Sequence, residues 1–165
     1  MSVEGPLKET PGHSPLGRWM ESDHERLDEL WDTSLAKWSF ERPQATVLLG
    51  EFRDGLLRHI QVEEDLLFPY FEARGGPGER HLVRLLLDEH KEIRAMLQRF
   101  MEQGERGTPS LEDAGTALRN VLWAHNTREE GLLYPWFNDG LGVGTGAELD
   151  FDVRAAICSG DSPRT

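Results

Sequence analysis

His59-Ile60-Gln61-Val62-Glu63-Glu64-Asp65-Leu66-Leu67-Phe68-Pro69-Tyr70-Phe71 returns 66 residues later as His125-Asn126-Thr127-Arg128-Glu129-Glu130-Gly131-Leu132-Leu133-Tyr134-Pro135-Trp136-Phe137. Both stretches read H-x-x-x-E-E-x-L-L-[FY]-P-x-F. A second pair keeps the offset of 66: Asp23-His24-Glu25 and Glu89-His90-Lys91. Each lone His stands 35 residues before the His of an H-x-x-x-E-E stretch, 24 before 59 and 90 before 125. Residues four apart share a helix face, with Cβ atoms about 5–6 Å apart. His59 with Glu63, and His125 with Glu129, can therefore reach one centre together. The two copies supply four imidazoles and two carboxylates, the donor set of a dinuclear metal site.

The apolar pattern around these stretches is helical. A first stripe (Leu16, Trp19, Met20, Leu27, Trp31, Leu35, Trp38) covers about 15–40, and a second (Leu48, Phe52, Leu56, Leu66, Tyr70) about 43–73. Gly75-Gly76-Pro77-Gly78 then breaks the chain. A third stripe (Leu82, Leu85, Leu86, Ile93, Leu97, Phe100) covers about 79–103. The fourth (Leu111, Ala114, Leu118, Leu122, Leu132, Trp136) starts after Thr108-Pro109-Ser110 and stops before Gly140. This predicts an all-α fold: an up-down-up-down four-helix bundle over 15–139, made of two pseudo-repeated hairpins. Residues 1–14 and the Gly-rich stretch 140–165 are expected to be flexible. Pro69 and Pro135 should kink or end the second and fourth helices.

Helix geometry brings the six residues to one height. From His24 to the first turn, and back from that turn to His59, is about 15 residues each way, or about 22 Å. The same count holds from His90 to His125 and across the middle from His59 to His90. The six also lie on apolar stripes, where an unpaired polar group costs several kcal/mol and an ionised carboxylate far more. A lone His on such a stripe is more often a satisfied core residue than a ligand. Four at equal spacing, with two H-x-x-x-E frames, outweigh that reading. Glu64 and Glu130 fall one residue past the inward face and are expected to support the ligands or face solvent. His13 and His81 are out of phase or outside the helices, and Tyr134 and Trp136 are placed at the border of an entrance.

Composition narrows the partners. A chain of 165 residues is most simply one domain, and its net charge of −12 repels phosphate backbones and anionic membranes. No stretch approaches the roughly 18 apolar residues of a membrane span. Cys158 is the lone cysteine, which excludes an internal disulfide and a Cys-based metal site. The N-terminal residues do not read as a secretory signal, so the expectation is a cytoplasmic protein with no nucleic-acid or membrane partner. Imidazole with carboxylate suits two borderline metals better than Ca²⁺ or Mg²⁺. Two iron ions are the first choice, with manganese or zinc behind. If both Glu bridge, open positions remain for water, an oxo or hydroxo bridge, O₂ or NO.

His24, His59-x-x-x-Glu63, His90 and His125-x-x-x-Glu129 resemble the hemerythrin-like family, the HHE cation-binding domain, over roughly residues 15–139. The resemblance implies a four-helix bundle around a non-haem di-iron centre. His24, His59, His90 and His125 would be terminal ligands, with Glu63 and Glu129 bridging. The chain departs from the oxygen-carrying members. Their fifth His, four residues before the third-helix ligand, is Leu86 here, and the pseudo-symmetric position is Met20. Their Asp five residues after the last His is Glu130. A fifth ligand is therefore missing, or comes from Glu64, Glu130 or water. The likeness points to binding or sensing of O₂, NO or iron and redox state. The alternative is a low-turnover di-iron oxidoreductase that reduces NO, decomposes peroxide or repairs iron centres. No general base or substrate pocket is legible beyond the ligands, which favours the binder over the enzyme. A ferritin-like reading needs two Glu-x-x-His pairs, and only Glu21-x-x-His24 is present.

Overall fold

A computed structural model describes residues 16–106, 111–140 and 146–158, and every regular element among them is helical. The elements are α1 (Leu16–Lys37), α2 (Arg42–Val62), α3 (Phe68–Arg74), α4 (Pro77–Glu105), α5 (Leu111–Arg128), α6 (Tyr134–Gly140) and α7 (Gly146–Cys158). α1 packs along α2 and α4 along α5, while α6 lies on α1 and α3 on α4. The start of α4 follows from its sequence. Pro77 takes the first helical position, where its missing N–H costs nothing, and the Glu79 side chain accepts from the Gly76 N–H at 2.8 Å. No helix among the described residues is long and apolar enough to cross a membrane.

Neither Pro69 nor Pro135 ends its helix. A π-helical turn precedes each one, Glu63–Leu67 after α2 and Glu129–Leu133 after α5, and the chain runs directly into α3 and α6. The Phe68 N–H reaches back to the Glu63 carbonyl and the Tyr134 N–H to that of Glu129, five residues each. Such a wide turn absorbs one extra residue and rotates everything after it by about 100°. The expected stripes are corrected accordingly. Leu67, Phe68 and Phe71 are buried where Leu66 and Tyr70 were expected to lead. In the second copy Leu133, Tyr134 and Phe137 are buried, and Leu132 is 58% exposed.

Part of the stretch 140–165 is helical. Residues 146–158 form α7, which packs on α1 and α2 and buries Leu149 and Val153. Arg154 lays its guanidinium 4.2 Å over the Trp19 ring, a favourable cation–π contact. The Gly-rich composition hid a short i, i+4 apolar pair. The expectation for 1–14, and His13 with it, lies outside the described residues.

Two apolar cores sandwich one polar layer. Leu16, Met20, Leu67, Phe68, Leu86, Tyr134 and Phe137 belong to the first core, which α7 completes. Leu27, Trp31, Phe52, Ile60, Ile93 and Leu122 belong to the second. His24 falls between Met20 and Leu27, His90 between Leu86 and Ile93, and the other two His share that layer. Apart from Ser34, every buried polar or charged residue among those described lies here: Asp23, His24, His59, Glu63, His90, His125 and Glu129.

Candidate metal centre

The six predicted residues meet. Each helix of the repeat turns one imidazole inward, and the π turns begin at the two carboxylates. His24 and His59 bring their Nε2 atoms to 3.0 Å, and His90 and His125 theirs to 3.2 Å. Glu63 turns one oxygen to each pair: Oε1 lies 3.5 Å from His59 Nε2, and Oε2 lies 3.2 Å from His90 Nε2. Glu129 does the same, with Oε2 at 3.5 Å from His24 Nε2 and Oε1 at 3.0 Å from His125 Nε2. Both carboxylates are fully buried. Glu63, His90, His125 and Glu129 form one group whose donor atoms lie within 4.8 Å of one another, and His24, His59 and Glu129 form another.

A ring of four carboxylates orients the four imidazoles. His24 Nδ1 donates to Glu130 at 2.8 Å, His59 Nδ1 to Asp23 at 2.9 Å, His90 Nδ1 to Glu64 at 2.9 Å and His125 Nδ1 to Glu89 at 2.9 Å. The ring is itself repeated, since Asp23 pairs with Glu89 and Glu64 with Glu130 at the offset of 66. Arginines brace three of the four: Arg26 on Asp23, Arg94 on Glu64 and Arg128 on Glu89. The position equivalent to Arg94 in the first copy is Asp28, which puts a like charge near Glu130. At that corner a cleft of about 380 Å³, lined by Glu21, Asp28, Trp123 and Glu130 among others, reaches His24.

The donor set fits a cation. Each Nδ1 carries its hydrogen to a carboxylate, so each Nε2 faces the interior, where it holds either a proton or a lone pair open to a cation. Glu63 Oε2 and Glu129 Oε1 are buried and meet no hydrogen-bond donor. With no proton or cation between them, lone pairs on buried nitrogen and oxygen would face one another across 3.0–3.2 Å. Only protons or cations reconcile them, and buried acceptors left alone cost about 1–3 kcal/mol each.

The protonation balance has the same origin. Burial disfavours a charged His59, but the Glu63 charge and the Asp23 hydrogen bond outweigh it and push the imidazole up to about 10. His90, opposed by burial and favoured by Glu129 and Glu63, is pushed up to about 9. His125 is raised against burial by Glu129. Burial opposes the charge on Glu63 and Glu129, yet the imidazoles win and hold both carboxyls below the ordinary range.

One residue of the layer lies where the helical count did not put it. Tyr134 is fully buried at the centre of the layer, not at an entrance. Its hydroxyl donates to Glu63 Oε1 at 2.7 Å and lies 3.3 Å from His24 Nε2, 3.4 Å from His59 Nε2 and 3.3 Å from Glu129 Oε2. Burial and the two carboxylates raise the phenol well above its ordinary value. Trp136 packs edge-on against Phe71 and Phe137 instead. Glu64 and Glu130 hold His90 and His24 from behind, and Leu86 and Met20 are core. Asp23 and Glu89 were quoted in the repeat without a role. Their signal was an acid directly before each lone His, kept at the offset of 66.

Fold and site together define an all-helical protein built around a buried His/carboxylate cluster. A family model, the hemerythrin HHE cation-binding domain, matches residues 16–137. The chain belongs to that family. No curated protein and no solved structure matches it.

Proposed function

We propose that this chain is a non-haem di-iron protein that binds or senses O₂, NO or redox state. In this reading His24 and His59 hold one ion, His90 and His125 the other, and Glu63 and Glu129 bridge. Its frame is an up-down-up-down four-helix bundle in which α3 and α6 continue the second and fourth helices, and it works in the cytoplasm. The observation that carries the reading is the division of oxygens: each buried carboxylate turns one to each imidazole pair. The sulfur-free nitrogen and oxygen donor set favours iron, with manganese and zinc as the nearest substitutes. A bound ion pair would supply open coordination positions and a redox change at which a diatomic ligand registers. The protein's part is to fix the imidazole tautomers through four carboxylates, to keep bulk water out with two apolar cores, and to balance charge with two carboxylates.

The test is metal content with the ultraviolet–visible spectrum, in air and after anaerobic reduction. Two irons per chain, with absorption that bleaches on reduction and shifts reversibly with O₂ or NO, is the expected result. Two zincs that resist iron reconstitution overturn the redox and gas-binding reading together. Rapid consumption of NO or peroxide by the iron-loaded protein overturns binding in favour of an oxidoreductase.

A further inference from the structure

One difference between the two halves of the site enters its centre. In the second copy the aromatic position before the proline is Tyr134, and its counterpart 66 residues earlier is Phe68. Phe68 stacks on His90 with ring centroids 5.4 Å apart and offers no donor. Tyr134 lies against His24 at a similar 5.6 Å, tilted, and adds a hydroxyl. That oxygen faces four buried polar atoms: two imidazole nitrogens and one oxygen of each of the two carboxylates. It has one hydrogen, which Glu63 Oε1 takes at 2.7 Å. Its other three close contacts, at 3.3–3.4 Å, are longer and converge on the same point between the His24 and His59 nitrogens and Glu129 Oε2. A residue present only to donate to Glu63 has no need of them.

The distances suit a shared ion. Donors bound to one ion at about 2.0–2.2 Å stand about 3.0 Å apart when octahedral and about 3.4 Å apart when tetrahedral. His24 Nε2, His59 Nε2, Glu63 Oε1, Glu129 Oε2 and the Tyr134 oxygen give neighbouring separations of 2.7–3.5 Å. We infer that Tyr134 is a further protein ligand to the ion held by His24 and His59, which leaves the ion held by His90 and His125, beside Phe68, with one protein donor fewer. The inference rests on the di-iron reading above. As the metal–oxygen bond forms the phenolic O–H bond breaks, and its proton leaves to solvent. The fifth ligand lacking at Leu86 and Met20 thus comes from the end of the fourth segment. An incoming small ligand is directed to the ion beside Phe68.

The experiment is iron analysis, visible absorption, resonance Raman and Mössbauer spectroscopy on the ferric-loaded full chain and on Tyr134→Phe. The wild type should hold two irons in two distinguishable environments. It should show a visible phenolate-to-iron charge-transfer band in which tyrosinate ring modes are enhanced. Tyr134→Phe should keep two irons, lose the band and the ring modes, and bring the two iron environments closer together. Two irons without tyrosinate modes in the wild type overturn the inference and leave the di-iron reading standing. So does a band that persists unchanged in Tyr134→Phe. Failure of the wild type to take up iron removes both, and metal analysis reports that separately from the spectra. Should Tyr134→Phe misfold, the wild-type Raman spectrum still decides.

Discussion

Removing the charge behind each imidazole should weaken metal binding in an order fixed by burial. The side chains of Asp23, Glu89, Glu64 and Glu130 are 4%, 18%, 25% and 43% exposed, and each accepts from one Nδ1 at 2.8–2.9 Å. Loss of a carboxylate behind a metal-bound His costs about 10–100-fold in affinity, or about 1.4–2.8 kcal/mol. Asp23→Asn should sit at the upper end, because Asp23 is the driest and is clamped by both Arg26 contacts at 2.8 Å. Glu130→Gln acts through water and has Asp28 nearby where Glu64 has Arg94. Solvent screening cuts its effect to about 0.2–1 kcal/mol, a factor of at most about five. One term opposes the trend. Asp23 also supports the His59 imidazolium, so Asp23→Asn eases a competing proton off the ligand. Glu63, first among the supports of that imidazolium, remains in place, and the weakening wins. Zinc titrations against a chromophoric chelator at one pH, with circular dichroism to confirm folding, would give the four ratios. Equal losses at all four positions, or a larger loss for Glu130→Gln than for Asp23→Asn, would refute the orienting role argued for this ring.

Three further outcomes follow from the same geometry. Glu63→Ala should lose at least one metal per chain, since it strips one oxygen from each imidazole pair; retention of two metals would show the bridging assignment to be wrong. The metal-stripped protein should lose stability as pH rises: His59 and His90 are raised to about 10 and about 9, so their contribution is full below the unfolded value of about 6.5 and disappears as pH climbs through those values, at up to about 1.4 kcal/mol per pH unit per proton. The metal-loaded protein, whose ligands are already deprotonated, should not show that loss, and thermal melts of both forms between neutral and alkaline pH check it. Val153→Ala should cost about 2 kcal/mol and lower the melting temperature by about 4–8 °C, because Val153 is buried against the first core; no change would mean that α7 is not docked in solution.

The buried His/Glu cluster was legible because its information is periodic and doubled. An i, i+4 pair fixes its own geometry, and an offset of 66 that recurs at His, Glu and Pro leaves little room for accident. What escaped was whatever depends on a departure from 3.6 residues per turn. The π turns at Glu63–Leu67 and Glu129–Leu133 add one residue to the count, and every inward residue beyond them moves by one place. Leu67 and Leu133 replace Leu66 and Leu132 in the core, and Tyr134 moves from rim to centre. Pro69 and Pro135 were the available signal. A proline cannot accept the regular i−4 pattern, and a helix that must continue past one can do so through a widened turn. Asp23 and Glu89 escaped for a different reason. An acid next to a His in sequence points to another face of its own helix, and its partner, His59 or His125, lies on the neighbouring helix.

The repeat also shows where the chain is not a repeat. Symmetry supplies two imidazole pairs, two buried carboxylates and a ring of acids. Several positions break it, among them Tyr134 against Phe68, Asp28 against Arg94, Asp23 against Glu89, Arg26 against Glu92 and Arg128 against Val62. These differences make the His24 and His59 half unlike the other. There the extra hydroxyl enters the centre, the orienting acid is shortest and driest, and the brace behind Glu130 gives way to a like charge beside an open cleft. The His90 and His125 half keeps two arginine-braced glutamates and an apolar ring. Two ions held this way would differ in charge, donor number and access. The His and Glu donors repeat and their surroundings do not, so any difference between the two imidazole pairs would arise from Tyr134 and from the acids and arginines behind the rings rather than from the donors themselves.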